Sequence, residues 1–372
     1  MIPFLDFQKE YRLLRTELEP VVQRVLASGQ YILSREVEEF EQRWSQYCDV
    51  AGSVLVASGT DALTLALEAT EVIQPGAGDE VITAAHGSLY TPLAIVRAGA
   101  RPVFADIDPE TWLLSPASVE RALTPRTRAI IPVHLYGLPC DLKGILELAR
   151  EHRLAVIEDA CQAHGARFWT DRWRRVGSFG QAAAFSFYPT KNLGCFGDAG
   201  IIVSSDAKLL ERARLLRNGG QRTRDHAVVL GHNSRGDEIQ AAILNYKLAH
   251  LEEWNERRRT LAALYIQRLR LPGLRWQAVP EGREHVYHLF VARYSQRDRL
   301  RAYLHDKGIE TMIHYEAALH QQPAFRDTSQ PSLPEAERAA EEVCSLPLRP
   351  TLSEIEVEEV AKAVNDFAAV MP

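Results

Sequence analysis

Three features of the 372-residue sequence predict an α/β protein in two parts. Short, near-continuous apolar runs alternate with helical stretches through much of the chain, and a strand apolar on both sides of its pleat belongs in a parallel sheet covered on both faces. Turn residues separate the runs. The 46% apolar content over this length supplies a sizeable core. The expectation is a large domain over residues 1–250, with a mainly parallel sheet between helices, followed by a smaller α+β domain over residues 251–372.

Residues 7–26 alternate charges with Leu and Val at helical spacing and predict an amphipathic helix, and residues 36–47 predict another. Ser53-Val54-Leu55-Val56-Ala57 reads as a buried strand, Ser58-Gly59-Thr60-Asp61 as a turn, and residues 62–69, rich in Ala and Leu, as a helix. Glu80-Val81-Ile82-Thr83 precedes a helix near residues 93–98. Pro102-Val103-Phe104-Ala105 precedes one over 116–123, with Ser115 as its N-cap and proline at its first position. Ala129-Ile130-Ile131-Pro132-Val133 and Ala155-Val156-Ile157-Glu158-Asp159 continue the alternation. An amphipathic run over 237–269 is long enough to bridge two domains. Beyond it, 286–293 predicts a strand, 296–307 a helix, and Ser353-Glu354-Ile355-Glu356 a capping box opening the last helix. Residues 323–334 are rich in Pro and Ser and read as a loop.

A formal charge of −6 with no long basic run argues against a general nucleic-acid binder. No basic start with an apolar core marks a leader, and no apolar run approaches the roughly 20 residues that span a bilayer, so the expectation is a soluble, cytoplasmic protein. The five cysteines are scattered with no CxxC pair, which disfavours a disulfide framework or a zinc site. No HExxH or HxxxH pattern falls on a predicted helix, so no metal is expected.

The run Ala182-Ala183-Ala184-Phe185 ends in Ser186, and a Pro-containing turn leads to Lys191. An amine is thereby placed at a strand end, where α/β folds keep their ligands. Desolvation by apolar neighbours would help it lose its proton and act as a nucleophile, so Lys191 could hold a carbonyl cofactor as a Schiff base. A lysine taken alone is more often a solvated surface charge, so the reading leans on two other strand ends. Gly59-Thr60 ends a strand and opens a helix, turning backbone N–H groups and a hydroxyl toward an anion, although a plain N-cap looks the same. Asp159 ends a central run. A buried carboxylate needs a cationic partner or it takes up a proton. The protonated ring nitrogen of pyridoxal 5'-phosphate would be such a partner, and the pairing would make that ring an electron sink; a helix cap or an ordinary ion pair is the other reading. Ser186 could add a hydroxyl to the phosphate.

Taken with Ile2-Pro3-Phe4-Leu5-Asp6, Ala57-Ser58-Gly59-Thr60-Asp61-Ala62-Leu63, Glu158-Asp159-Ala160-Cys161-Gln162-Ala163, Ser186 through Lys191, Gly231-His232-Asn233-Ser234-Arg235, Asp237-Glu238-Ile239-Gln240-Ala241-Ala242, His314-Tyr315 and Ser345-Leu346-Pro347, the sequence resembles the DegT/DnrJ/StrS family of sugar aminotransferases, which have the aspartate aminotransferase type of fold. The resemblance implies pyridoxal 5'-phosphate as cofactor, with Lys191 as the Schiff-base and proton-shuttling lysine. It further implies that Asp159 pairs with the ring nitrogen, that Gln162 lies near the phenolic oxygen, and that Gly59, Thr60 and Ser186 hold the phosphate. Asn233 would reach the phosphate of a neighbouring subunit, giving a homodimer with shared sites. The reaction implied is ping-pong transfer of an amino group from an amino acid, glutamate being expected, to a keto sugar nucleotide. His314 and Tyr315 lie where the substrate is expected.

Two departures stand out. Ser88 occupies the position where many members keep an aromatic ring against the cofactor, leaving His86 or Tyr90 to take that role, and Glu316 replaces the proline that often follows His-Tyr. His134, His164 and His314 sit near motifs and read as core residues or as substrate contacts. Lys191 argues against the sugar dehydratases, in which histidine replaces the lysine. A cyclitol ketone as acceptor, or a cofactor-binding regulator without turnover, remain as other readings.

Overall fold

The computed structural model describes residues 1–325 and 331–370. Its main sheet has seven strands: β1 (Gly52–Val56), β2 (Glu80–Ala84), β3 (Arg101–Ala105), β4 (Thr127–Ile131), β5 (Ala155–Asp159), β6 (Ala182–Ser186) and β7 (Gly200–Ser204), in the spatial order β1-β7-β6-β5-β4-β2-β3. The five strands from β2 to β6 run parallel. β7 is reversed against both of its neighbours, β1 and β6. It is also the strand that the apolar pattern did not single out, since a buried run such as Ile201-Ile202-Val203 says nothing of direction or partner.

Alternate residues of the strands around β6 serve opposite cores. Val54, Val56, Ile157, Ala182, Ala184 and Ile202 enter one cluster, which the helix α3 (Gly59–Ala69) closes. Leu55, Ala183, Phe185, Ile201 and Val203 enter the other. There Val37, Phe40 and Trp44 of α2 (Arg35–Cys48) cover the sheet, while Glu41 of that helix reaches in to accept from the Leu55 amide at 2.8 Å. Both faces are thus buried, as near-continuous apolar strands require. The first helix, α1 (Phe7–Ser28), is capped by Asp6, whose carboxylate accepts from the Lys9 amide at 2.8 Å.

The amphipathic run over 237–269 is not one bridging helix. It divides into Glu238–Leu248 and Leu251–Arg268, interrupted at Ala249-His250 without any Gly or Pro to mark the break. A second, three-stranded sheet follows, with Phe290–Arg293 between Arg275–Trp276 and Val343–Leu346. Its own core joins Leu261, Tyr265, Leu304, Val357 and Val360 to Ile2 from the other end of the chain. The strand expected from residue 286 starts only at Phe290, because the residues before it are tied elsewhere: the Val286 amide donates to Gly137 O at 3.0 Å and the Leu289 amide to Tyr136 O at 3.3 Å. Ser353 and Glu356 form the expected capping box, and Ser115 caps the helix Pro116–Ala122. The loop expected over 323–334 lies partly outside the described residues; its described end leads into a helix at Pro334–Glu342.

Glu158 is fully buried beneath the strand ends. Its carboxylate accepts from the amides of Gly177, Phe179 and Gly180 at 2.8, 2.8 and 2.9 Å, and pairs with His134 Nε2 at 3.1 Å. Burial by itself would raise this carboxyl, but the hydrogen bond and charge of His134 and the Gly177 and Gly180 amides outweigh it and hold it below the usual carboxylate range. A depressed folded-state value means stability present above the ordinary glutamate value and lost as pH falls through the lower folded one. Glu158→Gln should therefore cost about 3 kcal/mol in urea unfolding at neutral pH. The gap between variant and wild type should narrow in acid; a pH-independent gap would show that the charge of Glu158 does not matter.

Candidate active site

The C-terminal ends of the parallel strands bring the predicted residues together. Asp159 ends β5, is buried, and lies beside Ala184 of β6, two residues before Ser186. Its Oδ2 accepts from Thr91 Oγ1 at 2.7 Å and its Oδ1 from the Cys161 amide at 3.1 Å. Both bonds fix the orientation of the carboxylate. No ion pair to Asp159 occurs among the described residues.

Gly59 opens α3 with Ser58 as its N-cap, the Ser58 hydroxyl accepting from the Asp61 amide at 3.1 Å. The Gly59 α-carbon is pressed so closely on the next strand end that an added Cβ would lie 2.6 Å from Ser186 Cβ and 3.1 Å from Cys161 Sγ. Cys161 and Ser186 therefore both crowd Gly59 at the positive end of a helix dipole. Ser186 is held from behind, its carbonyl bonded to His164 Nε2 at 2.8 Å.

Lys191 is half-buried in the turn after β6, its amide donating to Tyr188 O at 2.9 Å. Burial lowers its amine below the ordinary lysine value, opposed by the nearby Cys161 and Asp159. Its side chain makes no hydrogen bond or ion pair with any described residue. Asp159 and Lys191 thus share one electrostatic neighbourhood. A carboxylate with no ion pair and an amine with no partner are the groups that a charged ring nitrogen and an aldehyde would complete.

Gln162 lies across from them, Oε1 accepting from the Tyr136 amide at 2.8 Å and Nε2 donating to Tyr315 Oη at 2.9 Å. Nε2 carries two protons, and only one is used. Tyr315 comes from the C-terminal part, and burial raises its phenol to about 12 against hydrogen bonds from Gln162 and Ser88. His314 bonds Ser345 Oγ through Nδ1 at 2.8 Å; burial, then the charge of Lys191, lowers it to about 4, so it is neutral at physiological pH.

His134 and His164 are fully buried and engaged by Glu158 and Ser186, as core residues are. Tyr90 is 58% exposed at the start of a helix. His86 is buried with its Nε2 on Tyr136 Oη at 2.8 Å. The side chain that reaches Ser88 is instead Tyr315, far away in sequence. Asn233 is exposed, and its side chain makes no hydrogen bond within the described chain. Thr91 and Tyr136 escaped the sequence reading: each matters only because strand order sets it against Asp159 or Gln162.

A seven-stranded sheet of this order, with a lysine, a carboxylate and a helix N-terminus gathered at its strand ends, defines a pyridoxal 5'-phosphate-dependent aminotransferase. The chain belongs to the DegT/DnrJ/EryC1/StrS aminotransferase family, whose model matches residues 13–365. It is 46% identical over 99% of its length, and 96% of the relative's, to a dTDP-3-amino-3,4,6-trideoxy-alpha-D-glucose transaminase of Streptomyces venezuelae. It is 43% identical to a dTDP-3-amino-3,6-dideoxy-alpha-D-galactopyranose transaminase of Aneurinibacillus thermoaerophilus, over 99% of each chain. The crystal structure of S. venezuelae DesV in complex with a ketimine intermediate superposes with a TM-score of 0.95 at 46% identity, covering 100% of this chain and 99% of that one.

Gly59→Ala should weaken pyridoxal phosphate binding by about tenfold or more, because the added methyl displaces Ser186 or Cys161 from the helix terminus. Fluorescence titration of the cofactor-free protein measures this. Unchanged affinity would mean that this helix end does not hold the phosphate.

Proposed function

We propose that this protein transfers an amino group from an amino acid, glutamate in the first instance, to the carbon-3 ketone of a hexose linked to a nucleoside diphosphate. The observation that carries the reading is the partnerless Lys191 amine beside the buried, hydrogen-bonded Asp159 carboxylate. The carbon-3 preference draws on the two relatives described above, both transaminases of 3-amino sugars.

When bound, pyridoxal 5'-phosphate supplies an aldehyde that captures the amino group and a ring that draws electrons from the reacting carbon. Asp159, aimed by Thr91 and Cys161, would hold the proton on the ring nitrogen. Gly59, Thr60 and Ser186 would bind the phosphate at the N-terminus of α3. Gln162, with one Nε2 proton unused, would donate to the phenolic oxygen. Lys191 would hold the cofactor aldehyde and would move a proton at Nζ, a task its lowered basicity suits. His314 and Tyr315 bound the acceptor, with Glu316 beside them as the position to tune sugar preference. A cytoplasmic setting accords with cysteines that are all free among the described residues.

A second copy would complete each site. Asn233 lies just beyond a two-stranded hairpin (Gln221–Thr223 with His226–Ala227) that leaves Leu230 97% exposed, and Ser234 is anchored to Asp61 Oδ2 at 2.7 Å, so the segment is fixed while Asn233 faces outward. That arrangement supports an asparagine directed at a neighbour's phosphate.

The purified protein should be yellow. Glutamate should bleach the band, and borohydride should abolish it by fixing the cofactor on Lys191. Lys191→Ala should keep its fold and lose turnover by about a hundredfold or more; a colourless wild type that takes up no pyridoxal phosphate would sink the reading. In a panel of dTDP- and UDP-linked keto hexoses, 3-keto forms should turn over and 4-keto forms should not, and the reverse result would reassign the carbon. Mixing inactive Lys191→Ala with inactive Asn233→Asp subunits should restore part of the activity, whereas no recovery would remove the shared site.

A further inference from the structure

Tyr136 sits where a bulky side chain is least at ease. Its backbone is left-handed, at φ 62° and ψ 0°, in a turn directly after β4, and the residue is completely buried. Strain of this kind persists only where the surroundings over-determine it, and such positions cluster at functional sites. Here the surroundings are four separate parts of the chain. The Tyr136 amide donates to Gln162 Oε1 at 2.8 Å, and its carbonyl accepts from the Leu289 amide at 3.3 Å. Its hydroxyl donates to the His314 carbonyl and meets His86 Nε2 at 2.8 Å. The next residue, Gly137, has φ 104°, and a Cβ there would lie 2.9 Å from Val286 Cγ2 and 3.0 Å from the His288 amide, so the turn can press on the C-terminal part only as it stands.

Proton accounting makes the arrangement directional. A phenol has one proton, and it is committed to the His314 carbonyl. His86 must then donate through Nε2, which leaves its Nδ1 as a bare lone pair. That nitrogen is indeed buried without a partner. Burial, then the charge of Arg293, lowers His86 to about 3, as a permanently neutral ring of this tautomer requires. Likewise, because the Tyr136 amide can only donate, Gln162 must present Oε1 to it and Nε2 to Tyr315. A flipped amide would set two donors against each other. One residue therefore fixes both the orientation of Gln162 and the position of the His314 carbonyl, one bond away from Tyr315.

We propose that Tyr136 is a positioning residue for the acceptor: its hydroxyl, received from His86 and given to the His314 carbonyl, holds the 314–315 segment of the C-terminal part in register with Gln162 and the strand ends that carry Asp159 and Lys191. This rests on the reading that His314 and Tyr315 bound the acceptor. Tyr136→Phe removes the hydroxyl alone and keeps the ring, the turn and the amide bond to Gln162. The consequence falls on the acceptor half of the reaction and spares the donor half, because Lys191, Asp159 and the helix end are held by contacts that do not pass through this hydroxyl.

The test uses full-length Tyr136→Phe in two measurements. Hydrogen exchange of the cofactor-free protein should be faster over residues 312–316 in the variant, with the 155–162 segment unaltered. With cofactor bound, the KM for the keto sugar nucleotide should rise roughly tenfold while the rate at which glutamate bleaches the cofactor band stays within about twofold. Unchanged exchange at 312–316 would overturn the proposal, as would a variant in which donor and acceptor steps fall together or neither moves. Should the wild type turn over no keto sugar nucleotide at all, the function proposed above fails, and the exchange comparison still decides whether Tyr136 holds this segment.

Discussion

A buried carboxylate at the end of a central parallel strand is the constraint around which the molecule is arranged. A carboxylate in a core needs hydrogen-bond donors, and Asp159 obtains them from Thr91, at the start of the helix after β2, and from the Cys161 amide immediately downstream. Each bond draws a different segment to the same point. Thr91 brings the end of β2 across β4, and the 159–161 turn brings Cys161 against Gly59 and Ser186. Lys191 then lies in a region where burial lowers its basicity and the carboxylate moderates that effect. The electrostatics of the site follow from the order of the strands.

Just below, Glu158 is the counterpart of Asp159 on the opposite face of the same strand. It receives three backbone amides and His134, and so ties the turn after β4 to the 177–180 turn before β6. One acidic dipeptide thereby serves both purposes. The Glu158 side chain fixes the frame, and the Asp159 side chain meets Thr91 and the Cys161 amide. Period-two alternation along a strand makes this division automatic.

The C-terminal part contributes through contacts and not through sheet pairing with the main strands. Its segment 286–289 docks on the turn at Leu135-Tyr136-Gly137, and its 314–315 segment meets Gln162, Ser88 and Tyr136. The C-terminal part keeps a core of its own, yet it also shares one with the main sheet, where Leu289, Val291, Leu319 and Val343 pack with Ile82, Phe104, Ile130 and Val156. Buried apolar contact, with the hydrogen bonds at its edge, therefore fixes this part against the strands that carry Asp159 and Ser186.

Much of this was legible in the sequence by itself. Apolar runs too continuous to face water dictate a parallel sheet buried on both sides, and the strand boundaries at Ala155–Asp159 and Ala182–Ser186 place Asp159 and Ser186 at strand ends by local pattern alone. The capping signals at Ser115 and Ser353 were equally local, because a cap is a contact between residues three apart. What only the tertiary structure decided has no local trace. The reversal of β7, the break at Ala249-His250, the pairing of Thr91 with Asp159, the left-handed Tyr136 and the approach of Tyr315 to Ser88 each depend on which segments become neighbours. Burial free energy is set by composition and periodicity and can be read along the chain, whereas the satisfaction of a buried polar group is settled by whatever the fold sets beside it.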